Sequence, residues 1–283
     1  MKSECFSILL SIYFTFGRAE YLDMSYDVGE ESMFWPVGNG FTRADVTRDY
    51  QPAGYWYHNE MLSFPEHIST HMDAPSHFAE NGWTVDQIPL EHLMGPAVKI
   101  DISDKVASDQ KAILTTDDLS DWWRKYGDFP NGTIVFVYTG WGSRYGNQTA
   151  YFGSNSTNSS TFRFPAISVG AAQILTQYER TTGYQILGVG MDTPSLDESD
   201  SQTFKVHQEL FAANIYGLEN VANLEKLPVT GATVTIMPIK IKDGSGGPVR
   251  IIAKLPEVNA ASDKSLTRSS LSLLLTLLLF IYY

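Results

Sequence analysis

The segment HISTHMDAPSHF, which begins at His67, constrains the fold more than any other part of this sequence. On a continuous helix His67 and His71 would share a face, but Asp73 and His77 would not both join them, and the proline between those two opposes helix. In an extended strand all four side chains would point to one side, yet His67 and His77 would lie roughly 33 Å apart. The segment must therefore curl. A polar surface loop is one interpretation, and a divalent metal bound at about 2.0 to 2.2 Å per ligand is the other.

The amino terminus has the pattern of a secretory signal peptide. Lys2 precedes the apolar run Cys5–Phe16, and small residues stand at the −3 and −1 positions of a cut after Ala19. We therefore predict a signal peptide over 1–19, the alternative being an N-terminal anchor, although the run is shorter than the about 20 residues that span a bilayer. The only cysteine leaves with this signal, so the mature chain has no disulfide and depends on its core. One domain, 20–259, is predicted.

The carboxyl terminus has the pattern of a glycosylphosphatidylinositol (GPI) attachment signal. Small residues at 259–261 are followed by a polar spacer, Ser262–Ser270, and an apolar tail, Leu271–Tyr283. We predict that residues 260–283 are removed and that a lipid anchor holds the protein at the extracellular face of the plasma membrane. A retained tail helix, a disordered end or a soluble secreted protein are the alternatives.

Four N-x-Ser/Thr sequons support the same predicted location. Three of them lie in a polar stretch, Ser143–Thr161, which is typical of a glycosylated surface loop. The predicted glycosylation sites are Asn131, Asn147, Asn155 and Asn158.

Charge and motif content exclude several classes of function. The net charge of −12, with scattered Lys and Arg, argues against nucleic acid or anionic lipid as a partner. The sequence contains no G-x-S-x-G elbow, no H-E-x-x-H motif and no phosphate-cradling glycine motif. A cysteine nucleophile is absent from the mature chain, whereas a serine triad stays open.

Predicted strands and helices alternate along the chain. Their β-branched and aromatic runs, or their helical spacing of apolar residues, define the segments. The predicted strands are Thr133–Gly140, Tyr184–Gly190, GATVTIMPIKI and VRIIAKL, and the predicted helices are Thr116–Tyr126, Val169–Arg180 and a segment from Ser201 to Ala213. With no internal repeat or linker, the pattern predicts a single mixed α/β domain.

Two blocks of the sequence resemble a known family. The histidines, aspartate and proline of the first segment match the H-x-G-T-H-x-D-x-P-x-H signature of the cyclase family of metal-dependent hydrolases, which includes bacterial-type kynurenine formamidases and isatin hydrolases. The run MDTPSLDESDSQTFKVHQELFAANIYGLENVANL, residues 191–224, is similar to the second block of that family. One departure is Ser69, where the family usually has glycine. A Cβ there can strain a backbone angle that suits only glycine.

The resemblance implies a site, residue by residue. The implied metal ligands are His67, His71, Asp73, His207 and Glu219, and His77 is the implied proton-transferring residue. Imidazoles and carboxylates suit Zn²⁺ or Mn²⁺, as one ion or as two ions bridged by Asp73 and Glu219. Phe34 and Trp35 align with a region of aromatic substrate contacts, although Trp35 taken alone would be a core residue. His58 and His92 have no motif behind them and are interpreted as structural.

The resemblance also implies a fold and an activity. The fold is a swivelling β/β/α arrangement, commonly a homodimer. The favoured activity is that of an arylformamidase, which converts N-formylkynurenine to kynurenine and formate in tryptophan catabolism. Hydrolysis of a cyclic amide or lactone, as in the ring opening of isatin, is the alternative within the class. A cell-surface binding module that lost turnover is the alternative from another class.

Overall fold

Strands and helices alternate along most of the chain in a computed structural model that describes residues 20–36 and 38–257. Within these residues the strands are β1 (Tyr21–Asp23), β2 (Thr42–Tyr50), β3 (Trp56–Ser63), β4 (His71–Asp73), β5 (Met94–Asp101), β6 (Ile113–Leu114), β7 (Thr133–Tyr138), β8 (Ala166–Ile167), β9 (Ile186–Met191), β10 (Tyr216–Glu219), β11 (Ala232–Pro238) and β12 (Gly246–Lys254). The α-helices are α1 (Ser103–Ser108), α2 (Thr116–Tyr126), α3 (Gln148–Phe152), α4 (Val169–Thr176), α5 (Tyr178–Thr182) and α6 (Lys205–Ala212). The predicted mixed α/β class is confirmed, and its finer swivelling β/β/α type stays a prediction.

Eight of these strands form one sheet, in the order β1-β12-β11-β5-β7-β9-β10-β4. Strands β5, β7, β9 and β10 run parallel to one another, and the remaining pairs are antiparallel. Strand β4 pairs with β12 as well as with β10, so that Asp73 lies opposite Gly217 on one side and Gly246 on the other. This second pairing closes the sheet into a barrel-like ring, with β4 as the closing strand.

The central strands are apolar on both faces because each face has its own core. On β7, Ile134 and Phe136 pack with residues of the ring interior, whereas Val135 and Val137 pack with the helices outside. Side chains of a strand alternate between faces, so a run such as TIVFVY supplies both cores at once. Each fully buried aliphatic side chain contributes about 1.5 to 3 kcal/mol. The helix layer is formed mainly by α2, α4 and α6.

Two helix boundaries differ from the prediction. The helix predicted over Val169–Arg180 is divided into α4 and α5 at Gln177. The helix predicted from Ser201 begins only at Lys205, because the preceding Phe204 has a left-handed backbone with φ 47°. The Ser201 hydroxyl accepts a hydrogen bond from the Phe204 amide at 3.1 Å and holds this turn. These boundaries depend on local hydrogen bonds that helical periodicity does not reveal.

Strands β2 and β3 form a separate antiparallel hairpin whose side chains are mostly exposed. His58 lies on this hairpin, and His92 lies in a 3₁₀ turn, Leu90–Leu93. Neither histidine belongs to the group of metal-ligating side chains described below. The interpretation of both as residues without a site role is consistent with these positions.

Three of the four sequon asparagines accept hydrogen bonds from backbone amides. The side-chain oxygen of Asn147 accepts from the Ala150 amide at 3.0 Å and caps α3, and that of Asn158 accepts from the Ser160 amide at 3.1 Å. The side-chain oxygen of Asn131 accepts from the Gln185 amide at 2.8 Å. Polar residues of this loop are therefore explained by capping and turn formation.

The predicted terminal signals, 1–19 and 260–283, lie outside the described residues. Residues Tyr21–Leu255 form one compact unit. Among the described helices, none has the length and apolar character needed to cross a membrane.

Candidate functional site

The closing strand β4 carries the first ligands of a buried polar cluster. Its sequence is HMD, so His71 and Asp73 point to one face while Met72 points into the apolar ring interior. His71 and Asp73 are both almost fully buried. The antiparallel register of β4 and β10 places Glu219 directly opposite His71. Residues 148 positions apart in the chain are thus neighbours.

Helix α6 supplies His207 to the same cluster. Its Nε2 lies 3.0 Å from Glu219 Oε1 and 3.2 Å from Asp73 Oδ2. His207 is buried beside Phe211, which lies four residues further along the helix and packs edge-on against the imidazole. The strand and the helix meet at this point, so the cluster joins the sheet to the helix layer.

The two carboxylates each contact histidines on both sides of the cluster. Asp73 Oδ1 lies 2.6 Å from His67 Nδ1 and 3.2 Å from His71 Nε2, whereas Oδ2 faces His207. Glu219 Oε2 lies 3.4 Å from His71 Nε2. Two overlapping groups result, His67–His71–Asp73 and Asp73–His207–Glu219, and within each group the ligand atoms lie within 4.8 Å of one another. The structure thus brings together all five predicted ligands, and Asp73 is shared by both groups.

This donor set fits a divalent metal. Imidazole nitrogens and carboxylate oxygens are the ligands that Zn²⁺ and Mn²⁺ accept, and the nitrogen and oxygen atoms already converge. Burial lowers the pKa of His71, but its hydrogen bonds to Asp73 and Glu219 outweigh this effect and raise the pKa to about 10. The buried carboxylates of Asp73 and Glu219 therefore favour a positive charge at the centre of the cluster. A divalent cation would supply that charge.

Hydrogen bonds orient two of the histidines through their Nδ1 atoms. His71 Nδ1 lies 3.0 Å from the Ser69 carbonyl oxygen, which can only accept, so Nδ1 donates and Nε2 is left free for the cluster. His207 Nδ1 lies 2.5 Å from Asp197 Oδ2. Asp197 was not predicted as a site residue. No motif marks Asp197 in the sequence. The only indication is general: metal-binding histidines usually donate their second nitrogen to a carboxylate or carbonyl, so a partner for His207 was to be expected.

His77 lies beside the cluster without joining either metal-ligating group. It ends the 3₁₀ turn Pro75–His77, and its ring stacks on that of His67 with centroids 4.0 Å apart and an interplanar angle of 24°. Burial is the main cause that lowers the pKa of His77 to about 4. Its imidazole is therefore neutral near pH 7, with one ring nitrogen unprotonated. This position is consistent with the proton-transferring role that the resemblance implies.

A cavity of about 260 Å³ opens onto the cluster and His77. Its apolar wall consists of Met33, Phe34, Trp35, Phe78, Phe152 and Phe204. The ring of Trp35 meets that of Phe152 edge-on at 6.2 Å and that of Phe204 at 6.4 Å. Both predicted substrate-contact residues, Phe34 and Trp35, thus line the cavity. The contributions of Phe78, Phe152 and Phe204 carried no motif and were missed.

Ser69 occupies the backbone position at which the family pattern has glycine. Its φ of 57° lies in the left-handed region, which costs a residue with a Cβ roughly 1 to 2 kcal/mol. Its hydroxyl donates to the Asp27 carbonyl at 2.9 Å and accepts from the Tyr145 hydroxyl at 3.2 Å. The serine therefore adopts the expected strained geometry and adds hydrogen bonds that glycine could not make.

Comparisons with known proteins identify the family of this chain. The model of the family named Cyclase matches residues 22–198. The chain belongs to the cyclase family. The predicted family is thereby confirmed.

Relatives within this family are named as hydrolases. The chain is 29% identical to an isatin hydrolase of Roseibium aggregatum, over 74% of this chain and 79% of that protein. It is 24% identical to a kynurenine formamidase of Bacillus thuringiensis subsp. konkukian, over 83% of this chain and 98% of that protein. A crystal structure of an isatin hydrolase bound to the product analogue thioisatinate superposes with a TM-score of 0.75 at 25% identity, covering 85% of this chain and 94% of that one. The prediction of a hydrolase is supported by these relatives, and the substrate is a separate question.

These relatives contradict the predicted location. The terminal patterns and sequons predict a secreted glycoprotein held on a membrane by a GPI anchor, whereas the relatives are bacterial enzymes named for the hydrolysis of small molecules. The prediction of secretion, glycosylation and lipid anchorage is therefore wrong. Asn131, Asn147 and Asn158 are accounted for by the backbone hydrogen bonds that they accept. The homodimer implied by the resemblance stays a prediction.

Proposed function

We propose that this cyclase-family protein is a metal-dependent amide hydrolase that acts on small aryl amides. The observation that carries the proposal is the shared position of Asp73 in two metal-ligating groups, at the base of an aromatic cavity and beside the neutral His77. A binding module would have no need of a complete ligand set with a proton acceptor next to it. The wall of aromatic rings supplies the apolar surface that an aryl ring requires.

The residues divide the reaction between them. A divalent metal held by His67, His71, Asp73, His207 and Glu219 would polarise the amide carbonyl and lower the pKa of water. His77 accepts the proton of the attacking water and returns it to the leaving nitrogen. Phe34 and Trp35 orient the aryl ring and exclude bulk water from the reacting carbonyl.

The lining of the cavity favours a compact neutral substrate. Among the described residues that line it, none is lysine or arginine. The amino-acid carboxylate of N-formylkynurenine would find no lysine or arginine to pair with there, and burying an unpaired carboxylate is costly. Isatin is a flat, neutral cyclic amide and has no such group. We therefore propose ring opening of an isatin-like amide as the activity, in place of the arylformamidase activity that the sequence analysis favours.

Arylformamidase activity is the second candidate. It is supported by the kynurenine formamidase of Bacillus thuringiensis subsp. konkukian, which aligns with this chain over 98% of its own length. The two candidates share the metal cluster and His77 and differ only in what the cavity wall accepts.

Turnover of both substrates distinguishes the candidates. Purified protein loaded with Zn²⁺ or Mn²⁺ is assayed with isatin and with N-formylkynurenine, and kcat/KM is compared before and after treatment with a chelator. We expect the higher kcat/KM with isatin and loss of both activities on chelation. A reversed preference would assign the arylformamidase activity. Metal-loaded protein that turns over neither substrate would contradict aryl amide hydrolysis and support the binding module.

A further inference from the structure

His67 differs from the other two histidines of the cluster in how it faces the carboxylates. It presents Nδ1 to Asp73, whereas His71 and His207 present Nε2. Its side chain is also the most exposed of the three, at 22% compared with 4% for His71 and 3% for His207. Burial therefore restrains the side chain of His67 less than those of His71 and His207.

The free nitrogen of His67 contacts a serine that is distant in sequence. His67 Nε2 lies 3.0 Å from the Ser245 hydroxyl oxygen, and that oxygen lies 2.6 Å from Glu66 Oε2. A serine hydroxyl has a single proton. Because the Glu66 carboxylate can only accept, the Ser245 hydroxyl donates to Glu66 and is left to accept from His67. This arrangement places the proton of His67 on Nε2 and directs the Nδ1 lone pair at the cluster.

The loop that carries Ser245 is packed closely against both neighbours. A Cβ added to Gly246 would lie 2.3 Å from the Met72 carbonyl oxygen and 2.8 Å from His67 Cε1. The Ser245 amide also donates to Glu66 Oε2 at 3.2 Å, and its carbonyl accepts from the Ala74 amide at 2.9 Å. Backbone contacts on both sides thus restrict where the hydroxyl can lie. These contacts fix the position of the Ser245 hydroxyl next to the His67 imidazole.

We propose that Glu66 and Ser245 are positioning residues that hold His67 as an Nδ1 ligand of the metal. The inference rests on the metal-dependent activity proposed above. A carboxylate that orients a metal-binding imidazole generally acts by direct contact, and here it acts through an intervening hydroxyl. Neither residue touches the metal or the substrate. Their effect is on the tautomer and angle of His67, and hence on metal affinity.

The affinity for Zn²⁺ tests this role without an assay of activity. Wild type, Ser245→Ala and Glu66→Gln are titrated with Zn²⁺ against a chelating dye. We expect Ser245→Ala to bind Zn²⁺ about 10- to 100-fold more weakly. Glu66→Gln should weaken binding less, because its amide oxygen still accepts from Ser245. The melting temperature of each metal-free variant should stay close to that of the metal-free wild type, which separates positioning from a purely structural role.

A matched control uses another serine hydroxyl that donates to a carboxylate, away from the site. The Ser103 hydroxyl donates to Asp101 Oδ1 at 2.6 Å on an exposed part of the chain, so Ser103→Ala should leave Zn²⁺ affinity unchanged. In Zn²⁺-loaded wild type, the imidazole ¹⁵N signals should show the proton on Nε2 in His67 and on Nδ1 in His71 and His207.

Two results would overturn the inference alone: equal Zn²⁺ affinity in wild type and Ser245→Ala, or a proton on Nδ1 of His67. Failure of wild type to bind either Zn²⁺ or Mn²⁺ would overturn the proposed function and this inference together.

Discussion

The ring of His77 stacks on the ring of His67, with centroids 4.0 Å apart. The two histidines come from one segment, yet His67 contacts the Asp73 carboxylate and His77 does not take part in either metal-ligating group. The 3₁₀ turn Pro75–His77 produces this separation, because it follows β4 and turns His77 away from the direction of that strand. One short segment thus provides both a candidate metal ligand and a candidate proton acceptor.

The first prediction separates these two roles. Replacing His77 with alanine should lower kcat by about 10²- to 10⁴-fold, because the proton acceptor is lost, while bound metal stays near the wild-type content. His71→Ala should instead lose metal, since His71 Nε2 lies between both carboxylates. Elemental analysis and steady-state kinetics on both variants provide the measurement. Similar metal loss in the two variants would show that His77 is itself a ligand.

The second prediction concerns Asp197, which holds His207 at 2.5 Å and also accepts from the Val206 amide at 2.8 Å. Asp197→Asn removes the negative charge that favours the required tautomer of His207, and we expect metal affinity to fall about 10- to 100-fold. Asp200→Asn is the control, because that carboxylate pairs with Lys111 away from the cluster. Competition with a chelating dye measures both. Equal metal affinities in Asp197→Asn and Asp200→Asn would refute a role of Asp197 in orienting His207.

The third prediction concerns the strained backbone of Ser69. Ser69→Ala keeps the Cβ and removes the hydroxyl that bonds Asp27 and Tyr145, which should lower the free energy of unfolding by about 1 to 3 kcal/mol. Ser69→Gly loses the same hydroxyl but recovers about 1 kcal/mol of left-handed strain. We therefore expect the glycine variant to be the more stable of the two in chemical denaturation. The opposite order would mean that Ser69 is not strained.

The fourth prediction concerns the aromatic wall. Trp35→Ala removes a ring that lines the cavity and meets Phe152 and Phe204, so binding of an aryl substrate should weaken in the ground state and the transition state alike. KM should then rise more than kcat falls. Tyr184→Ala, a truncation of an exposed aromatic outside the cavity, should change neither constant. A fall in kcat with unchanged KM would instead give Trp35 a role in the transition state.

Local sequence patterns were sufficient to predict the fold class and the side chains of the site. The spacing of the histidines and one proline exclude a continuous helix or strand from His67 to His77. In the structure this segment contains a short strand followed by a 3₁₀ turn. The alternation of apolar runs likewise determined the mixed α/β class. The motif pair named five side chains that the structure brings into one cluster, with His77 beside it, and their role as metal ligands stays a prediction. The predicted location depended on compositional patterns at the chain ends and at sequons, which describe no contact within the fold, and it was wrong.

Tertiary structure alone decided which distant residues meet. Glu219 faces His71 because β4 and β10 pair in one register, and Ser245 reaches His67 because β4 also pairs with β12. Periodicity specifies which face of a strand is buried, but it contains no information on the neighbouring strand or its register. Phe204 enters the cavity wall through a left-handed backbone that no helical pattern predicts. The sequence therefore identified the side chains of the cluster, whereas the contacts that orient them arise only when the ring of strands closes.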